Sequence, residues 1–228
     1  GEHLLSIRKQ PEKLLSLSEL KNNNWCNSSE YEIIQTLIQK QKNILVVGGT
    51  SSGKTTILQA FINEIDTTQR TIIIEDTQEL KPTNTISTSL LTYNDILSPQ
   101  YSVHMTDLLK RALRLRPDRI VIGEIRGHEA KDLLMALSTG HNGSLGSLHA
   151  NNEREALLRL EMLVQMGAPQ WQHESIRNLI ALTINYIIVV HKQNRTRKLK
   201  GIYRIVSAER TGVSTLKVET PYDILEDF

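Results

Sequence analysis

Past residue 42 the chain switches between two hydrophobic rhythms. Short apolar runs without polar interruption, Ile44-Leu45-Val46-Val47, Ile72-Ile73-Ile74 and Ile120-Val121-Ile122, have the composition of strands buried on both faces. The stretches between them place apolar residues three or four apart, the spacing of a helix with one buried face. The pattern predicts strands over 43–47, 70–74, 119–122 and 144–148, and helices over 53–65, 108–115, 129–138 and 153–166. Pro117 halts the second of these helices, and Gly167 with Pro169 closes the fourth. Upstream, Tyr31, Ile33, Ile34, Leu37 and Ile38 predict a helix over 29–42, with Ser28 or Ser29 as its cap. Residues 1–24 read as a leader, or the remnant of an N-terminal domain or linker. It has an extended piece broken by Pro11, one or two helical turns over 14–20 and a loop at Asn22-Asn23-Asn24. Downstream, strands over 184–191, 201–208 and 213–218 flank a basic turn over 192–200, which predicts an antiparallel β-meander.

Strand–helix alternation with near-continuous apolar strands defines an α/β fold: a doubly wound, mostly parallel sheet covered by helices, with the meander added at its C-terminal side. The domain is expected to span 25–228. In such sheets ligands sit off the carboxyl ends of the strands. Four predicted strands end in residues that carry chemistry: the loop 48–55, Glu75 with Asp76, Glu124, and His149. Their convergence on one ligand is the central expectation.

Composition narrows the classes. The chain has 228 residues, 39% hydrophobic and 23% charged, which suffices for one sizeable core and is ordinary for a globular domain. No apolar run approaches the roughly 18 residues that a membrane span needs, and no basic-then-apolar opening marks a signal peptide. The first residue is Gly1 rather than Met, which leads to the expectation that sequence precedes it. A single cysteine, Cys26, excludes an internal disulfide or a cysteine zinc site and fits a reducing compartment. The net charge of +2 argues against a protein whose main work is wrapping nucleic acid.

The segment Gly48-Gly49-Thr50-Ser51-Ser52-Gly53-Lys54-Thr55 fits G-x-x-x-x-G-K-[ST], with the required strand before it and helix after it. Glycines let backbone N–H groups close around phosphates, and the helix start adds its positive end. Lys54 suits the β/γ-phosphates, and the Thr55 hydroxyl suits Mg²⁺. Gly49, Thr50, Ser51, Ser52, Gly53 and Thr56 complete the candidate nucleotide contacts. Glu124 ends a strand and can orient and deprotonate water. The acid usual one position earlier is replaced by Gly123, so metal ligation leans on Thr55, the nucleotide and the neighbouring strand. Glu75 and Asp76, with Glu79 nearby, either hold a metal-bound water, share the base role, or cap local backbone. His149 stands where it can sense a γ-phosphate, or serves as a hydrogen-bonded core group; His141 falls in the opposite turn. Arg111, Arg114, Arg116 and Arg119 are candidates for neutralising phosphoryl charge, or else a solvated basic face. The basic turn lacks interleaved aromatics and so offers no base-stacking platform; it reads as a solvated tip or a contact for anionic lipid or nucleic acid.

Together the loop 48–55, Ile74-Glu75-Asp76, the run Leu115-Arg116-Pro117-Asp118-Arg119-Ile120 into Gly123-Glu124-Ile125-Arg126-Gly127, and Thr139-Gly140-His141 through Leu148-His149-Ala150-Asn151 resemble, in order, the Walker A, Asp, Walker B and His boxes of the type II/type IV secretion ATPases. The Leu-Arg-Pro-Asp-Arg-Ile string is similar to the branch serving conjugal transfer, type IV secretion and tight-adherence pili. The resemblance covers roughly 25 to 210. It implies a RecA-like P-loop motor domain in a hexameric ring that hydrolyses ATP with Mg²⁺. Such a motor powers protein secretion or pilus assembly from the cytoplasmic face of the inner membrane. Implied partners are further copies of the chain and inner-membrane platform proteins, with peripheral membrane association and no direct nucleic-acid binding. The resemblance makes Glu124 the catalytic glutamate, Glu75 the Asp-box acid and His149 the His-box residue. It likens Ser6-Ile7-Arg8 to the end of an N-terminal domain whose arginines complete the nucleotide site, with Arg8 as one of them. One departure is that 88–101 holds no arginine, so a charge-neutralising arginine has to come from 111–119, the leader or another subunit. Two other readings share parts of the pattern. A RecA-type nucleic-acid motor would need basic, aromatic-bearing DNA loops, and a non-hydrolysing nucleotide-binding regulator would lack a placed base.

Overall fold

The computed structural model describes residues 14–194, 196–209 and 211–224. Its centre is one eight-stranded sheet, ordered β3-β2-β4-β5-β1-β6-β7-β8. The strands are β1 (Ile44–Gly48), β2 (Thr71–Glu75), β3 (Thr88–Leu91), β4 (Arg119–Ile125), β5 (Leu145–His149), β6 (Tyr186–Gln193), β7 (Thr196–Glu209) and β8 (Gly212–Val218). From β3 to β6 every pairing is parallel, and β6–β7 and β7–β8 are antiparallel. The expected mostly parallel α/β sheet with a C-terminal meander is therefore what forms.

Among the described residues seven α-helices accompany the sheet: α1 (Leu17–Asn22), α2 (Ser28–Gln39), α3 (Lys54–Asn63), α4 (Met105–Ala112), α5 (Glu129–Ser138), α6 (Glu153–Gly167) and α7 (His173–Thr183). Strand alternation sends side chains into two cores. Leu45, Val47, Ile72, Ile74, Ile120 and Ile122 join α4 to α7 on one face. Ile44, Val46, Ile73 and Val121 join α1 to α3 on the other. Both faces being covered, the strands need no polar side, which is why their sequence is continuously apolar. Leu17 and Leu20 of α1 are buried in the second core, so this part of the leader packs on the domain.

Several details differ from the sequence expectations. The cap of α2 is Asn27, whose Oδ1 accepts from Glu30 N at 2.9 Å while the Glu30 carboxylate accepts from Asn27 N at 2.8 Å. β3 and α7 were not predicted. β3 is a half-exposed edge strand with a polar start, and α7 lacks a capping side chain although Ile176, Ile180 and Thr183 fall at helical spacing. The basic turn over 192–200 is mostly strand: β6 runs to Gln193 and β7 starts at Thr196, with Asn194 in the left-handed region.

Candidate nucleotide site

β1 delivers the glycine-rich loop at the carboxyl end of the sheet, where Gly48 pairs in register with His149 of β5. A side chain at Gly48 has no room: its Cβ would collide with Ser52 Oγ and stand 2.7 Å from the Val190 carbonyl. The loop then turns through two left-handed residues, Ser51 at φ 58° and Gly53 at φ 95°, and α3 begins at Lys54. This directs the unbonded first N–H groups of α3 and the Lys54 side chain toward the loop's concavity. Lys54 Nζ donates to Gly48 O at 3.0 Å and Gly49 O at 3.4 Å. Burial pushes its ammonium pKa down; Glu124 opposes that shift, while Arg126 and Arg159 add to it.

Glu124 arrives from β4, two strands away in the sheet, and its Oε1 stands 4.0 Å from Lys54 Nζ. Its other oxygen, Oε2, accepts from Arg126 Nε at 2.9 Å and also from Nη2. Arg126 Nη1 in turn lies 3.5 Å from Asp76 Oδ2, and Asp76 Oδ1 accepts from Thr92 Oγ1 at 3.0 Å. Arg126 is the first residue past β4, and its guanidinium turns back onto Glu124 two positions earlier.

Glu75 closes β2 and is buried, 4% exposed. Its carboxylate accepts from Leu80 N at 3.2 Å and from Glu79 N at 3.2 Å, closing the turn after the strand. Burial lifts its pKa from 4.5 to about 7, against the lowering effect of those two N–H groups. A Cβ at Gly123 would stand 2.8 Å from Glu75 Cγ and 3.2 Å from its Oε1. The space an acid at 123 would enter is thus filled by Glu75 from the neighbouring strand, which accounts physically for the glycine.

Half-exposed His149 ends β5 beside Gly48. After it, Asn151 is held by Glu155 Oε2, which accepts from Asn151 N at 3.0 Å and from Nδ2 at 2.9 Å. Asn151 Oδ1 comes within 3.5 Å of where a Cβ on Gly49 would be, so this loop abuts the phosphate loop. Lys54, Glu124, Glu75 and His149 therefore converge at one end of the sheet, as expected.

The arginine expectations fare differently. Arg119 begins β4 at the opposite end and is 2% exposed. It donates to Gln69 Oε1 at 2.6 Å, Ile38 O at 2.8 Å and Gly143 O at 3.3 Å, which makes it a structural staple. Arg114 and Arg116 precede it toward that end, and Arg111 and Arg114 line a groove on α4 with Asp107 and Lys110. Within one copy, then, the 111–119 cluster does not reach the Lys54 end. His141 Nδ1 lies 3.1 Å from Ala136 O, against the end of α5. Arg8 lies outside the described residues. Arg126 and Arg159 are the cations that bear on Lys54, and sequence reasoning passed over both in that role.

The donor set suits a magnesium-bound triphosphate. Ser52 Oγ is buried without a partner among the described side chains, the helix N-terminus offers free N–H groups, and Thr55 follows Lys54. Among the described residues no group of three or more His, Cys, Asp or Glu could hold a metal.

A strand-loop-helix phosphate cradle, faced by an acid from a second strand of a parallel sheet, defines a RecA-like P-loop NTPase domain. Residues 1–215 match the family described as Type II/IV secretion system protein, and the chain belongs to that family. It is 34% identical over 203 residues to the probable conjugal transfer protein TrbB of Sinorhizobium fredii, covering 88% of this chain and 59% of that protein. To the type IV secretion system protein PtlH of Bordetella pertussis it is 32% identical over 217 residues, 85% of this chain and 64% of that one. Among solved structures, the VirB11 ATPase of the Brucella suis type IV secretion system, in complex with sulphate, superimposes with a TM-score of 0.71 at 29% identity, covering 85% of this chain and 57% of that one. The chain thus spans less than two thirds of the length of these relatives. Among the described residues no helix is long and apolar enough to cross a membrane.

Proposed function

We propose that this chain is the motor domain of an ATPase that hydrolyses ATP to power secretion, conjugal transfer or pilus assembly. The single observation that carries the reading is the 4.0 Å approach of Glu124 to Lys54, which unites a phosphate-binding lysine and a carboxylate from separate strands. Lys54, the backbone N–H groups over 49–55, Ser52 and Thr56 hold the triphosphate. Thr55 would hold magnesium, which would supply charge neutralisation for the phosphates, and Glu75, in the room left by Gly123, would be the nearby acid from the neighbouring strand. Glu124 orients the attacking water and accepts its proton, with Arg126 fixing the carboxylate's direction. His149 senses the γ-phosphate from the adjacent strand end. Arg8, or an arginine from a neighbouring copy, completes charge neutralisation. The motor works as a homo-oligomeric, hexameric ring at the cytoplasmic face of the inner membrane, against platform proteins of its secretion system. The residue range 25–228 forms the motor, with 1–24 leading to it.

The test combines binding and turnover. A fluorescent ATP analogue with magnesium should bind the wild-type chain and fail to bind Lys54→Ala, and phosphate release should vanish in Glu124→Gln while binding persists. Equal release by wild type and Glu124→Gln would overturn the assignment of the base. Strong stimulation by single-stranded DNA would favour a nucleic-acid motor instead.

A further inference from the structure

We propose that Arg197, far along the chain on β7, is a positioning residue that clamps the phosphate loop in its anion-cradling shape; its bearing on nucleotide affinity rests on the reading above. Ser51 is a non-glycine residue in the left-handed region, a conformation that an L side chain adopts only at a steric cost. Something outside the loop has to hold it. The Ser51 carbonyl accepts from Arg197 Nε at 3.1 Å. The stem of the same arginine lies over the next left-handed residue, its Cδ 2.9 Å from where a Cβ on Gly53 would stand. One side chain therefore touches both left-handed residues of the turn, across 146 positions of sequence. Gly53 is required twice over, by its φ and by this contact.

The root of the clamp is rigid. Two residues on, Leu199 is buried in the core beneath α1 to α3, and its N–H donates to Trp25 O at 2.9 Å. β7 pairs with β6, and β6 with β1, the strand that launches the loop. A register shift in β6–β7 between Val189 and Val190 falls where Val190 packs on Gly48, and such a shift re-aims the side chains around it. Lys200, on the same strand, reaches the Asn151 carbonyl at 3.5 Å, so β7 touches both loops that frame the site. The basic stretch over 192–200, expected as a solvated tip or a contact for anionic lipid or nucleic acid, places Arg197 and Lys200 against the loops that frame the pocket.

Charge alone makes a different claim from the clamp, and Lys198 separates them. It is exposed, adjacent in sequence and equally positive, yet alternation points it to the other face of β7. Amide hydrogen exchange over 49–54, measured on the full chain without nucleotide, should quicken several-fold in Arg197→Ala and stay at the wild-type rate in Lys198→Ala. Affinity for a fluorescent ATP analogue with magnesium should weaken about 5- to 10-fold in Arg197→Ala, the loss of one solvent-exposed hydrogen bond, and less than about 2-fold in Lys198→Ala. In turnover, KM should rise by more than kcat falls. Arg197→Lys keeps the charge without the Nε donor and should behave as the alanine variant. Restoration by lysine, equal effects at 197 and 198, or unchanged loop exchange in Arg197→Ala would each overturn the proposal. If wild type bound no nucleotide while Arg197→Ala still loosened the loop, the clamp would stand and the nucleotide reading would fall.

Discussion

At the amino ends of the central strands, buried polar groups are matched one to one. Arg119 spends three donors on Gln69, Ile38 and Gly143. Asn43 donates to Thr183 O at 2.7 Å and accepts from Ser144 N at 2.9 Å, while its own N–H meets Asn185 Oδ1 at 2.8 Å. Arg70 Nε, in a half-buried side chain at that rim, is an exception. The carboxyl ends are built otherwise. There Ser52 buries a hydroxyl without a partner, Ser51 sits in a disfavoured region, burial lowers the Lys54 pKa, and Glu75 is pushed up to about 7. The same sheet thus carries a polar network around Arg119 and Asn43 at one end, and at the other an open serine hydroxyl beside a buried lysine and a buried carboxylate. Arg119 and Asn43 tie strands and loops together, whereas the open Ser52 hydroxyl lies within the phosphate loop itself.

Substitutions can break or sharpen this contrast. Glu124→Gln should lower ATP turnover by about 10²- to 10⁴-fold while moving the melting temperature by less than about 2 °C, since the carboxylate is partly exposed. A large melting loss would make Glu124 architectural. Arg119→Ala should do the opposite. It strands three acceptors in the core and should destabilise by about 3 kcal/mol, or about 10 °C in melting, with nucleotide affinity of the folded fraction within 2-fold of wild type.

Glu75→Gln tests a pH dependence whose sign is fixed. Folded Glu75 keeps its proton to about pH 7, whereas the ordinary glutamate releases it near 4.5. The folded state therefore binds more protons between these values, and this group's contribution is full below 4.5 and lost as pH rises through 7. Relative to Glu75→Gln, the wild-type melting temperature should fall by several degrees between pH 5 and pH 8. A constant difference would mean that the two N–H groups on its carboxylate offset the effect of burial. The smallest effect is expected for Ser52→Ala, which removes a buried, unpartnered hydroxyl. Melting should hold or rise by about 1–3 °C while affinity for the ATP analogue weakens.

What was legible in the sequence follows the same physics. β1, β2 and β4 were found to within a few residues, and α5 at its observed bounds, because two-sided burial writes continuous apolar runs and amphipathic spacing writes helices. The site loops were legible because phosphate binding demands glycine, lysine and a following helix in one short segment. β3 escaped because an edge strand is half exposed and carries no such run. Arg197 escaped because its partner is a backbone carbonyl 146 positions away, which no local pattern encodes. Arg119 was misread because a buried arginine looks in sequence like any other member of a basic stretch. Only its three acceptors, drawn from Gln69, Ile38 and Gly143, reveal its role.

Strands that feed two cores in alternation impose a rule of parity. One residue inserted ahead of Ile120 would send Ile120 and Ile122 to the compartment now filled by Val121, whereas the register shift after Ile122, which leaves Ile122 and Ile125 in the same core, breaks the alternation before Glu124 is reached. Two inserted residues would restore the facing but lengthen the strand. Burial on both faces therefore holds the stretch from Arg119 to Ile122 to its count, while the shift that follows sets the direction in which Glu124 leaves the sheet.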